Sequence, residues 1–466
     1  MLDFKPVSQG DLATLRRYYA DCDYQLCEYS ALVKYMWRCN LNSDWTEAAG
    51  CLIIRNDIGG KICFDYPIPG PQGDEDAALE HIEEWCLETG TPLEISVVPV
   101  AKAPRLLVRY PRFKLINNRS WWDYVYDAEA LRTFAGRHYS GQRNHINKFR
   151  KLYPQAEWKV LGEDDGALIE RFWDELDEAG AKQDEKAVKE LRLSKEMLEL
   201  RTLPFFFAGG FVLEGRLISI AMGEICGDTL HEHIEKALPD FEGVYPATVQ
   251  AFAQAFATDG VRYINRQDDV DDKGLRTSKL QYRPVTLAQK YCFSVLNELD
   301  GIDAIPTLET DRLTLSALEE GDKPAYNALC LDDERNLFWG YDFREDWKGE
   351  PLKDYFLDVA RRDFATKMAI NFAVRLEGEF IGEVVLYRFD GKGHAELGCR
   401  IAPAYDGHGY GVEAFQRVAE WALYSLGLRR VVEKCHRPNE ASYRMLSSCM
   451  RRVGEDETFY YFAKEV

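Results

Sequence analysis

No stretch of this sequence is long and apolar enough to form a membrane-spanning helix. Its first residues, MLDFKPVSQGDLATL, lack the basic-then-apolar layout of a secretory signal, so the expected location is cytoplasmic. Paired cysteines are missing too. The twelve present are scattered with no C-x-x-C, so neither a zinc cluster nor a disulfide framework is indicated. They are expected to be reduced, small apolar core residues. No short-period repeat is visible. Positive charge is also scarce: 58 Lys and Arg against 78 Asp and Glu leave a formal net charge of −20. Phosphate is repelled by such a surface, which argues against broad nucleic-acid binding and suits a cationic or amine-bearing partner.

What is present is ample core material, 46% hydrophobic with 13% aromatic residues, in a 466-residue chain too long for one core. The pattern falls into three blocks. The first runs helix (SQGDLATLRRYYADC), strand–turn–strand (AAGCLIIRNDIGGKICFDYPI, turn at Asn56 to Gly60), helix (DEDAALEHIEEWCLETG) and strand (LEISVVPV). The second, from about Tyr126, opens with one basic helix, LRTFAGRHYSGQRNHINKFRKLYP, stopped at Pro154. A helix ending at Gly180 follows, then a hairpin turning at Glu214-Gly215, a strand (DTLHEHIEKA), a helix (YPATVQAFAQAFATDG) and a strand (VRYINRQDD). The pattern relaxes over Leu296 to Pro306, which predicts a linker at 296–306. A fresh start then leads through antiparallel strands to GHAELGCRIAP, the glycine-dense YDGHGYG, a long helix to Ser425, a strand, a short helix from Asn439 and a last strand.

Strand, glycine turn and helix start bring backbone N–H groups together, and the helix dipole adds positive character. Glycine permits positive φ and close approach. Such a turn either receives an anion such as phosphate or is a plain structural turn. The spacing resembles motif A of the GNAT N-acetyltransferase superfamily, Q/R-x-x-G-x-G/A, with Asp406, Gly409 and Gly411 at its three defined positions. HRPNEASYRML resembles the N-x-x-S segment of the ribosomal-protein acetyltransferase branch, through Asn439 and Ser442, and LETDRLTLSAL resembles that branch's opening. The resemblance covers Thr307 to Val466. It implies acetyl-CoA as co-substrate, its pyrophosphate received by Asp406, Gly407, His408, Gly409, Tyr410 and Gly411, with Asn439 and Ser442 nearby. The strand backbone at Ile401 would pair with the pantetheine arm and stabilise the thioester oxyanion. It further implies direct attack by a neutral amine, with Glu396 or Glu433 taking the proton and Tyr443 as candidate general acid. Asp406 stands where the family carries Arg or Gln. Its carboxylate either repels the pyrophosphate or points away from it.

The first 295 residues resemble the C-terminal domain family of phosphatidylglycerol lysyltransferases, in its stand-alone branch. The matching segments are GRHYSGQRNHINKF, HIEKA, YINRQDD and GLRTSKLQYRP. This implies two GNAT-like folds in tandem, about 1–125 and 126–295, and relatives that move an aminoacyl group from tRNA. The expected architecture is therefore α+β. It comprises three GNAT-like units with mixed, mainly antiparallel sheets, the third spanning 307–466. Net acidity disfavours tRNA as a partner. The mixed charges at Glu235, Lys236, Asn265, Arg266, Asp268, Asp269, Arg276 and Lys279 either receive a zwitterionic ligand or form a buried ion-pair network. His231 and His233 share a strand face at i, i+2 without an evident third ligand, so a structural role is expected and no metal. The leading functional expectation is acetyl-CoA-dependent N-acetylation, by the last unit, of an amine of a small molecule or a protein N-terminus. The alternatives are tRNA-dependent aminoacyl transfer by the first two, or a non-catalytic binding module.

Overall fold

The computed structural model describes residues 2–22, 24–179, 192–197, 200–345, 347–349 and 351–466. Three mixed, eight-stranded sheets organise them, with helices packed on the sheets. The expected α+β architecture of three GNAT-like units is what the chain forms. Each sheet contains the same crossover, a strand, a helix and a second strand parallel to the first. These are Lys61–Asp65, Glu75–Thr89 and Glu94–Pro99 in the first sheet. In the second they are Thr229–Ala237, Val244–Phe256 and Tyr263–Asn265. In the third they are His394–Ile401, Tyr410–Trp421 and Arg430–His436. A parallel return needs such a crossover, because a hairpin cannot reverse direction twice.

The chain divides into two compact units. One comprises residues 1–81, 94–104 and 115–293, and the other 82–93, 105–114 and 294–466. In the first, most expected elements form where the periodicity placed them, including the Glu214-Gly215 hairpin turn with both residues at positive φ. The Asn56 to Gly60 turn is shorter than expected, since the strand runs on to Ile58 and only Gly59 and Gly60 turn. The basic helix differs more. It breaks into Ala128–Thr133, a 3-10 turn at Arg137–Tyr139 and Ser140–Leu152. Phe134 at φ 45° and Gly136 at φ 91° leave the helical region between them. The buried Phe134 ring packs against Tyr139 and Tyr282, and this tertiary contact overrides local helix propensity. The expected helix end at Gly180 lies outside the described residues.

In the second unit we number elements from Leu308. The strands are β1 (Leu308–Glu309), β2 (Leu313–Ser316), β3 (Ala369–Leu376), β4 (Glu379–Tyr387), β5 (His394–Ile401), β6 (Arg430–His436), β7 (Arg451–Glu455) and β8 (Phe459–Glu465). The helices are α1 (Lys323–Leu331), α2 (Asp333–Asn336), α3 (Leu352–Ala365), α4 (Tyr410–Trp421) and α5 (Glu440–Cys449). Strand order is β1-β2-β3-β4-β5-β6-β8-β7. One face buries Phe415, Val418 and Ala419 of α4 and Leu446 of α5 against Leu397, Val431 and Phe462. The other packs Tyr326 and Leu329 of α1 and Phe356 and Leu357 of α3 against Phe380. Each large apolar side chain fully buried in this way stabilises the fold by about 1.5–3 kcal/mol.

Candidate active site

Strand β5 is where the sheet opens. It pairs with β6 only from His394 to Glu396, opposite Arg430 to Val432. Beyond Glu396, residues 397–401 pair with β4 alone. One backbone edge of Leu397 to Ile401 is thus left without a strand partner, directly before the glycine turn. Backbone polar groups there need a partner from outside the sheet.

The turn itself is shaped by two residues in the left-handed region, Gly407 at φ 76° and Gly409 at φ 78°. Gly409 is the N-cap of α4 and offers no side chain, so the first N–H groups of the helix are not capped from within. A Cβ at Gly407 would meet nothing within 4 Å, and one at Gly409 would come no closer than 3.6 Å, to an Arg312 nitrogen. The equivalent turns of the other two crossovers are filled. A Cβ at Gly243 would lie 2.4 Å from the His145 carbonyl, and one at Gly73 would lie 2.7 Å from that of Gly50. Of the three, only the turn before α4 leaves the Cβ positions of its glycines clear of other backbone atoms. His408 and Tyr410 stack across it, and Gly411 seats the helix start against Ile401 and Met445.

Two guanidinium groups that local pattern did not single out flank this turn. Arg312 donates to the His408 carbonyl at 3.0 Å and to Glu413 at 2.7 Å, and lies over the Tyr410 ring. Arg335 forms an ion pair with Asp406. The Asp406 carboxylate is therefore paired rather than free beside the amides. Arg312 sits inside LETDRLTL, so the sequence carried a signal for it. Arg335 lies 71 residues from Asp406 and carried none.

The candidate carboxylates separate by face. Glu396 is opposite Tyr387 and forms an ion pair with Arg388 at 2.8 Å. Glu433 is opposite the buried Phe462, on the α5 side. Among the described residues, one buried Glu433 oxygen has no hydrogen-bond partner. Burial first, and then the charge of Glu396, raise the Glu433 pKa well above the usual carboxylate range, while the amides of Lys434 and Leu397 act the other way. Tyr443 packs on Tyr460 and Phe462, and so lies over the strand that carries Glu433's neighbour. The Leu446 position of the same helix is wholly buried core. Asn439 is the N-cap of α5, its side-chain oxygen accepting from Ser442 N–H at 3.1 Å. The N-x-x-S spacing is thus, in the first place, a helix cap.

The charged set in the first unit is an ion-pair network. Arg266 is committed to Glu232 and Glu235, Arg276 to Asp269 and Asp271, and Lys279 to the carbonyls of Arg266, Gln267 and Asp268. On the preceding basic helix, Arg143 holds the Phe134 and Gly136 carbonyls and Lys148 pairs with Glu242. His233 contacts Ser30 and Glu224, while burial pushes the His231 pKa down to about 3. Cys27, Glu28 and Asp123 come close enough to hold a metal ion. The Lys290 ammonium already lies among them, paired with Glu28 and 3.3 Å from Asp123.

The model of the family described as "Phosphatidylglycerol lysyltransferase, C-terminal" matches residues 20–294, and that of the "Acetyltransferase (GNAT) domain" matches residues 312–449. Among curated proteins, the chain is 32% identical over 100 residues to "Uncharacterized N-acetyltransferase YnaD" of Bacillus subtilis (strain 168), spanning 21% of this chain and 58% of that protein. It is 29% identical over 172 residues to "FsC-acetyl coenzyme A-N(2)-transacetylase" of Aspergillus fumigatus, spanning 34% of this chain and 69% of that one. A crystal structure of a conserved protein of unknown function from Bacteroides thetaiotaomicron superposes with a TM-score of 0.56. Its sequence identity is 25%, and the match covers 63% of this chain and 99% of that one. Together these matches assign both halves: the chain belongs to the phosphatidylglycerol lysyltransferase C-terminal family over residues 20–294 and carries a GNAT acetyltransferase domain over residues 312–449.

Proposed function

We propose that the C-terminal domain is an acetyl-CoA-dependent N-acetyltransferase acting on a small-molecule or protein amine. The observation that carries this reading is the open glycine turn before α4, set beside a strand edge that β6 leaves unpaired. Acetyl-CoA, when bound, supplies an activated acyl thioester. The amides from Gly407 to Gly411 receive its phosphates, helped by the α4 dipole. The edge of β5 from Gly398 to Ile401 hydrogen-bonds the pantetheine arm, and an amide near Ile401 stabilises the developing oxyanion. Glu433, kept poorly solvated, takes the proton of the attacking amine. Glu396, tied to Arg388, sets the charge around it. Tyr443 protonates the departing thiolate, and Asn439 and Ser442 hold α5 against the site.

Titration calorimetry of the full chain with acetyl-CoA tests this. Binding that disappears in Gly409→Trp is expected, because the indole fills the turn. No heat from the wild-type chain would end the reading.

Family membership favours a second reading, tRNA-dependent aminoacyl transfer by the N-terminal module. Arg143 and Lys148 are already occupied, so the exposed Arg137 and Lys151 are the cations to reverse. Salt-sensitive tRNA binding that is lost in that double variant would support it, and absence of tRNA binding would remove it.

A further inference from the structure

We propose that Arg335 supplies the phosphate-facing cation of the glycine turn, and that Asp406 is the arm that positions it. This rests on the acetyl-CoA reading above. In the motif that the turn resembles, the first position carries a side chain able to donate to an anion. Here that position is Asp406, which is acceptor-only when ionised. Left alone, its half-exposed carboxylate would place a full negative charge beside the amides that are to receive a pyrophosphate.

The structure brings a cation to it from another element. Arg335 lies on α2, and the Asp406–Arg335 ion pair joins that helix to the turn. The backbone of α2 is fixed at both ends. Asp332 caps it through the Arg335 N–H at 3.0 Å. The Asn336 side chain donates to the Cys330 and Asp332 carbonyls at 2.7 Å each and accepts from Arg400. The Arg335 side chain is only 25% exposed, and its Nε is buried without a hydrogen-bond partner. One Nη therefore carries the hydrogen bond to Asp406, while among the described residues no acceptor is paired with the other Nη. Arg312, the other cation at the turn, has all three guanidinium nitrogens in use, Nε and one Nη on Glu413 and the other Nη on the His408 carbonyl. Arg335 is accordingly the group that can meet a phosphate, and Asp406 converts from a source of repulsion into a tether. The cation that the motif ordinarily carries within the turn has moved to α2.

The test is calorimetry on the full chain, with CoA and with pantetheine, which lacks the pyrophosphate. The proteins are wild type, Arg335→Gln, Arg335→Lys, Asp406→Asn and the Arg335→Gln/Asp406→Asn double variant. Loss of the charge-assisted contact in Arg335→Gln is expected to weaken CoA by about tenfold and to leave pantetheine unchanged, with partial recovery in Arg335→Lys. Asp406→Asn is expected to weaken CoA in the wild-type background, where it releases the tether. In the Arg335→Gln background it is expected to tighten CoA, because there the carboxylate only repels. Unchanged CoA affinity in Arg335→Gln overturns the inference. So do an equal loss for CoA and pantetheine, which a merely structural role would give, and a tightening by Asp406→Asn in the wild-type background. Failure of the wild-type chain to bind CoA overturns both this inference and the reading beneath it.

Discussion

Glu433 has one buried oxygen with no partner among the described residues, and its pKa is raised by burial and by Glu396. A carboxyl whose folded pKa exceeds its unfolded value of about 4.3 favours folding below that value. Its contribution is lost as pH rises toward the folded pKa. Glu433→Gln is therefore expected to match the wild type in thermal stability near pH 4.5 and to exceed it at pH 8, as followed by thermal scans across that range. If Glu433 takes the amine proton, the same variant loses about 10²-fold or more in kcat at neutral pH. A stabilised variant with full activity would keep the electrostatics and remove the catalytic role. A Gly407→Ala change separates the same two effects. Its φ of 76° costs a side chain roughly 1–2 kcal/mol, while the Cβ itself meets no protein atom. A fall in CoA affinity larger than that strain predicts would place the ligand at Gly407. Both glutamates and all three glycines were legible in the sequence, because strand alternation and turn chemistry are local. Arg335 was not, since only the folded α2 brings it to Asp406.

At the scale of elements, Asn439 lets a helix cap be told apart from a ligand contact. Its side chain caps α5, so Asn439→Ala is expected to cost about 1 kcal/mol in denaturant unfolding of the full chain. Asn439→Asp preserves the cap, since an aspartate oxygen accepts the Ser442 N–H equally well. That variant should keep wild-type stability while raising the KM for acetyl-CoA several-fold, because two amide donors become acceptors. Unchanged KM would leave Asn439 as a cap alone. The same distinction explains the basic segment after Tyr126. Its helical periodicity is real over Ser140–Leu152, but Phe134 turns inward to an aromatic cluster formed with Tyr282, far along the chain. No window of neighbouring residues contains that contact. The three crossovers were legible as strand–helix–strand patterns. That two of their turns are filled by the His145 and Gly50 carbonyls was not, because the filling atoms come from other elements.

For the whole molecule, the composition of the second unit decides what a truncation can show. That unit contains residues 82–93 and 105–114 as well as 294–466. Within it, Glu83 pairs with Arg109 at 2.6 Å and with Lys392 at 2.5 Å, and Tyr110 is wholly buried. Leu299 is wholly buried in the same core as Leu308, Leu397 and Val431. A fragment of residues 300–466 removes all of these partners and opens the core at Leu299. Burial lost at a single such leucine costs about 2–5 kcal/mol. The breaking of the Glu83 pairs leaves Lys392 without its carboxylate. The fragment is therefore expected to unfold at a clearly lower temperature than the corresponding transition of the full chain, and to bind acetyl-CoA less well through instability rather than through a missing contact. Thermal scans of both, with and without acetyl-CoA, separate the two causes. If ligand raises the fragment's unfolding temperature, the site is intact and the scaffold is weakened. If the fragment unfolds at the full-chain temperature, residues 82–93 and 105–114 add nothing to the unit, and the acetyltransferase domain is self-sufficient from residue 300.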